Sequence, residues 1–163
     1  MSFTTDPPWI ALWPVIYLAA VTPALIVGDV RTRRLANRLV LPGFAVIGMT
    51  LVATIVVETP RTQDALRSLG AGATVLGITW LVARAGALGM GDVKLAGLLA
   101  AILARADVGL LLPAAVATMV IAGVWATVVC LTASARGHNW RGTTIPLGVP
   151  LLAGFWIAFV LAV

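Results

Sequence analysis

The chain is 163 residues long, 61% hydrophobic and only 10% charged, with a formal net charge of +5. Soluble domains are charged at about a quarter of their positions, so this composition, with a mean hydropathy of +1.06, excludes a water-soluble globular domain. The basic balance could suit nucleic acid, but the arginines fall in short stretches between apolar runs. Membrane orientation accounts for that pattern, and no nucleic-acid partner is expected.

Met1 to Pro8 carry an acid and no base, so no cleavable signal is expected there. Six apolar runs follow. The first is Trp9 to Gly28, with Pro14 and Pro23 expected to bend it; the second is Leu39 to Val57 and the third Ser68 to Ala83. The fourth, Val93 to Ala104, is too short to span a bilayer unless it draws on the turn before it, because about 20 helical residues are needed. The fifth runs from Val108 to Leu131 and the sixth from Ile145 to Val163. The predicted fold is all-α: a polytopic helical membrane protein with about six transmembrane helices, forming one domain over residues 1–163.

Arg31, Arg33, Arg34, Arg38, Arg84, Lys94, Arg136 and Arg141 lie in the odd-numbered loops, against Arg61, Arg67 and Arg105 in the even-numbered ones. The positive-inside rule then makes the odd loops cytoplasmic and turns both termini outward. No internal repeat relates the two halves, which weighs against an inverted-repeat carrier. Trp9, Trp13, Trp140 and Trp156 fall near run ends and read as interface anchors. Cys130, the single cysteine, excludes an intrachain disulfide and reads as a small buried apolar residue.

Only six acids are present, and two of them, Asp29 and Asp92, adjoin long apolar runs at the same predicted membrane boundary. A carboxylate at the edge of hydrocarbon is expensive to keep and is a functional candidate by default. Paired acids suit peptide hydrolysis, in which an ionised carboxylate activates water while a protonated one donates to the carbonyl oxygen. The first charge raises the pKa of the second, so a close pair holds one proton. Gly89 and Gly91 lack side chains and would let backbone or an extended substrate approach Asp92.

Gly89-Met90-Gly91-Asp92-Val93-Lys94-Leu95 resembles the GxGDxKL motif of the prepilin peptidases, the type IV leader peptidases of bacterial membranes. The Asp29 segment resembles that family's other motif, an Asp followed by a basic stretch and Ile-Pro-Asn-x-Leu. Leu35, Ala36, Asn37 and Leu39 hold those places, with Ala36 where the family usually has Pro, so that loop is expected to be less rigid. Ile145-Pro146-Leu147-Gly148-Val149-Pro150 is similar to the Pro-x-Gly opening of the family's last span.

The resemblance implies an aspartyl endopeptidase of the bacterial cytoplasmic (inner) membrane. It would remove the leader of prepilin or pseudopilin substrates at the cytoplasmic face, in type IV pilus or protein secretion systems, without a cofactor or metal. Asp29 and Asp92 carry over as the catalytic pair, with Gly89, Gly91, Lys94 and Asn37 supporting the site. Longer members also carry a four-cysteine cytoplasmic domain and methylate the new N-terminus. This chain resembles the peptidase-only form, and no methyltransferase activity is expected.

Simpler roles stand beside these. Asp29 could be a solvated acid among arginines, and Asp92 the N-cap of the fourth helix. Lys94 could snorkel to anchor its helix or tune a nearby carboxylate. Asn37 suits a structural hydrogen bond, the arginines suit topology and anionic lipid, and His138 suits a solvated loop. Ala96, Ala100 and Ala104 form a stripe for close helix packing. Two rival functions remain at this point: a small ion-coupled membrane carrier, and a non-catalytic assembly subunit of a pilus or secretion system.

Overall fold

The computed structural model describes residues 8–32, 37–57, 62–86, 88–135 and 147–162. Six α-helices stand where the six apolar runs lie: α1 (Pro8–Thr32), α2 (Asn37–Val57), α3 (Thr62–Arg84), α4 (Met90–Ala106), α5 (Leu111–Ala135) and α6 (Gly148–Ala162). A single 3-10 turn, Val108–Leu110, joins α4 to α5. Most helices outrun their apolar segments, because a helix continues through polar residues once its hydrogen-bond ladder has been nucleated. α3 starts at Thr62 rather than Ser68, and α4 gains a turn at its start and two residues at its end. The extended α4 has 17 residues and is about 25 Å long at 1.5 Å per residue.

The protein is an all-α polytopic membrane protein. Among the described residues four stretches are long and apolar enough to cross a bilayer: Leu12–Arg31, Asn37–Val56, Thr62–Arg84 and Val108–Ala135. α6 is shorter, and α4 carries Asp92, Lys94 and Arg105. The exterior explains the composition. Leu161, Val56, Met49 and Met119 are each more than 70% exposed, an arrangement that water would penalise and lipid accepts.

α4 is the centre of the bundle. It touches each of the other five helices, and every residue from Leu95 to Ala104 is buried, as expected for a helix apolar on all sides. Small residues make this possible. Gly97 lies so close to α3 that a Cβ there would sit 3.0 Å from the Leu76 Cβ, and one on Gly72 would sit 2.9 Å from the Ala101 Cβ. Ser68 donates across the same seam to the Ala101 carbonyl at 2.7 Å. The expected stripe of Ala96, Ala100 and Ala104 is buried, while the closest approach to α3 runs one residue further on, through Gly97 and Ala101.

α3 closes with Ala85 and Gly86, the latter at φ 81°, a left-handed conformation that glycine adopts without strain and that turns the chain toward α4. α1 runs as one helix through Pro14 and Pro23. Tyr17 ties it to α2, donating to the Leu39 carbonyl at 2.6 Å.

Two readings of single residues change. Trp156 is no interface anchor: it sits in the middle of α6, half-buried, edge-on to Phe155 and Phe159, and donates from Nε1 to Thr22 Oγ1 at 3.2 Å. Cys130 is only partly buried, on the sparsely covered α5. Arg33, Arg34, Leu35, Ala36, Arg61, Arg136, His138, Trp140, Arg141, Ile145 and Pro146, and the side chain of Trp9, lie outside what is described.

Gly154 holds α5 and α6 together, since a Cβ there would lie 2.7 Å from the Ala114 carbonyl oxygen and run into Thr118. Gly154→Ala should destabilise the protein by about 1–3 kcal/mol, the usual range for overpacking. Gly48→Ala, where a Cβ meets nothing within 4 Å, should be neutral or stabilising by up to about 1 kcal/mol through helix propensity. Unfolding titrations in mixed micelles would measure both.

Candidate active site

Four helix ends meet at one end of the bundle: the last turn of α1 and the first turns of α2, α4 and α6. Asp29 lies in that last turn of α1 and is 3% exposed, so it is not a solvated acid among arginines. Its carboxylate faces the start of α6, where the Val149 amide donates to Oδ2 at 3.2 Å. The first turn of a helix has amides with no partner inside the helix, and it carries the positive end of the helix dipole. Asp29 fills the acceptor role there.

Asp92 is the third residue of α4 and is partly buried. It is not the N-cap. Gly89 holds that position with an extended backbone (φ −76°, ψ 146°), and only Gly89 of the Gly89–Asp92 run lies outside the helix. The Asp92 carboxylate reaches back over the cap, with Oδ2 lying against Gly89. A side chain on Gly89 would collide with it, since a Cβ there falls 3.0 Å from Asp92 Oδ2. Gly91, the second residue of α4, is partly buried.

The two acids come close enough for the Asp29 charge to act on Asp92. Asp92 lies outside the four membrane-crossing stretches, and its carboxyl is pushed up to about 6. Burial is the main cause, the Asp29 charge adds to it, and the Gly89 amide opposes both. Such a pair can hold a single proton close to neutral pH.

Lys94 and Asn37 also meet here. Lys94 Nζ donates to Asn37 Oδ1 at 3.2 Å, which joins the first turn of α4 to the first residue of α2. Among the described residues no carboxylate lies within salt-bridge distance of Lys94. Arg31 and Arg38 are exposed around this end. Among the described residues no three His, Cys, Asp or Glu side chains gather as a metal site would need.

The Val149 amide is the contribution that the search for side-chain chemistry passed over. Its signal was the Pro146-Leu147-Gly148 run that opens a helix, because helix starts present free amides.

A family model described as the type IV leader peptidase family matches residues 16–131, more than two thirds of the chain. The matched segment contains Asp29, Asn37, Gly89, Gly91, Asp92 and Lys94 and stops short of α6. No curated protein and no solved structure matched the chain.

The Lys94–Asn37 contact is exposed, and such hydrogen bonds contribute about 0.5–1.5 kcal/mol. Lys94→Met and Asn37→Ala should each lower stability within that range, and the double variant should lose no more than the larger single effect. Strict additivity in a double-mutant cycle would mean that the two side chains act separately.

Proposed function

The chain belongs to the type IV leader peptidase family, and we propose that it is an aspartyl endopeptidase that removes the leader of a prepilin or pseudopilin substrate. The observation that carries this reading is the convergence of Asp29, in the last turn of α1, and Asp92, in the first turn of α4, on one end of the bundle from helices far apart in sequence. All six helices would cross a bacterial inner membrane as one domain, with the acids at the cytoplasmic boundary where arginines are concentrated. A substrate with a polar leader ahead of an apolar helix would lie with its helix in lipid and its scissile bond at that boundary.

On this reading the pair works with one proton. Ionised Asp29 takes a proton from water, and the resulting hydroxide attacks the scissile carbonyl carbon. Asp92 gives its proton to the carbonyl oxygen, so a tetrahedral diol forms without a free oxyanion. As the C–N bond breaks, Asp29 passes its proton to the leaving nitrogen and Asp92 recovers one from the diol. The pair ends as it began, and Asp92 is the partner suited to carry the proton because burial and its neighbour's charge both oppose its ionisation.

Asp29 and Asp92 sit at helix ends rather than at mid-helix. A carrier site is expected near the bilayer midplane, so the coupled-carrier reading gains no support. A non-catalytic assembly subunit would have no use for a buried acid held next to a second one.

Asp29→Asn and Asp92→Asn should each abolish leader removal from a co-expressed prepilin while the protein still inserts, because an amide is neither base nor acid at these pH values. In the unmodified protein, cleavage should fall as pH rises through about 6, where Asp92 loses the proton it must donate. The limb belongs to the coupled pair, so its midpoint is the pair's apparent value. Normal processing by either variant would overturn the aspartyl mechanism.

A further inference from the structure

The start of α6 shows an unusual disposal of its free amides. The first hydrogen bond inside this helix runs from the Leu151 amide to the Leu147 carbonyl at 3.1 Å, so the amides of residues 148–150 have no partner within it. Leu147, at the cap position, has no side-chain oxygen to offer them, and Pro150 has no N–H at all. Of the two amides left, Gly148 and Val149, the Val149 amide goes to Asp29, which lies 120 residues away in sequence. The cap of α6 is thus borrowed from α1.

A second contact fixes the register of the same two helices. Trp156, seven residues beyond Val149, donates to Thr22, seven residues before Asp29. Seven residues are close to two helical turns, so both contacts fall on one seam of an antiparallel pair. Phe155 and Phe159 brace the Trp156 ring, and Thr22 Oγ1 is itself held by donating to the Leu18 carbonyl at 2.7 Å. The Val149 amide is therefore delivered to the carboxylate by a helix locked at two points.

We infer that the first turn of α6, through the Val149 amide, is the positioning element that aims the Asp29 carboxylate. This residue lies beyond the segment matched to the family, yet the site is incomplete without it. The inference rests on Asp29 acting as the base in leader removal. A fixed donor takes part of the carboxylate's acceptor capacity and leaves the rest directed at water, so the side chain is held in one orientation. Misplacement of a reacting group by about 1 Å can cost about 100-fold in rate, which sets the scale of the expected effect.

The test compares Val149→Pro with Val149→Ala in the full chain, reconstituted with a synthetic prepilin that carries a short polar leader before an apolar helix. Proline removes the amide at a first-turn position where helices tolerate it, whereas alanine keeps the amide and removes most of the side chain. Val149→Pro should lower kcat about 10- to 100-fold with KM changed less than about 3-fold, and Val149→Ala should keep at least about half of the original kcat. An unchanged kcat in Val149→Pro, or an equal loss in Val149→Ala, would overturn the inference. If Val149→Pro fails to insert, Thr22→Val decides: it frees α6 at its second point and should lower kcat several-fold with KM unchanged, and an unchanged kcat overturns the inference. Unmodified protein that removes no leader brings down the proposed function and this inference together. Cleaving protein with an unimpaired Val149→Pro brings down the inference alone.

Discussion

A carboxylate almost sealed from solvent at the end of an apolar helix must find hydrogen-bond donors, and that requirement organises this structure. Asp29 finds one in the Val149 amide at the start of α6. A buried acid without partners costs several kcal/mol, and orphan amides at a helix start carry their own cost, so the two deficits cancel only if α1 and α6 sit in one register. Polar groups toward the other end of the bundle follow the same rule. Ser68 reaches the Ala101 carbonyl, Thr50 the Ile47 carbonyl, Thr54 the Thr50 carbonyl, and Arg105 the Thr54 hydroxyl. In a lipid environment no water stands by to replace such partners, which makes the pairing obligatory.

α4 answers a different constraint. It carries the second acid and also fills the middle of the bundle, so it must be narrow on several faces at once. Gly97 and Ala101 let α3 approach along one side, while Leu98 packs on α2 so closely that a Cβ on Gly43 would overlap it. Close packing of this kind leaves few alternative positions for the first turn of α4, and the Lys94–Asn37 bond adds a tie to α2. Rigidity of the core therefore reaches Asp92, whose carboxylate turns back against Gly89.

Much of this was legible in the sequence, and the remainder was hidden for physical reasons. Apolar runs marked all six helices, because each helix has to cover its backbone with hydrocarbon somewhere. Asp29 and Asp92 stood out because acids are rare beside such runs. The length of α4 was underread: Gly91, Asp92 and Arg105 break the apolar pattern but not the hydrogen-bond ladder. Trp156 was misread because proximity to a chain end says nothing about depth within a helix, and its partner Thr22 is 134 residues away. The Val149 amide carries no side-chain signature, so the Pro146-Leu147-Gly148 run marked a helix start there but not its partner. The place of Lys94 near an acid in sequence suggested electrostatic tuning, yet residues two apart on a helix face different ways, and its amine turns to Asn37.

The position of the acids at the bundle end reconciles chemistry with solvent. Peptide hydrolysis would consume water, so an acid pair at the bilayer centre would lack its second substrate, while a pair in open water would lose the desolvation that raises the Asp92 carboxyl. Burial of Asp29 with partial exposure of Asp92 gives one group each setting: the first is fixed by an amide and shielded, the second remains within reach of solvent. A symmetric pair of equally buried acids would have no such division. The asymmetry arises from helix ends, one acid closing α1 against the start of α6 and the other opening α4. On the proposed mechanism, the division of labour between base and acid would follow from where two helices stop and start.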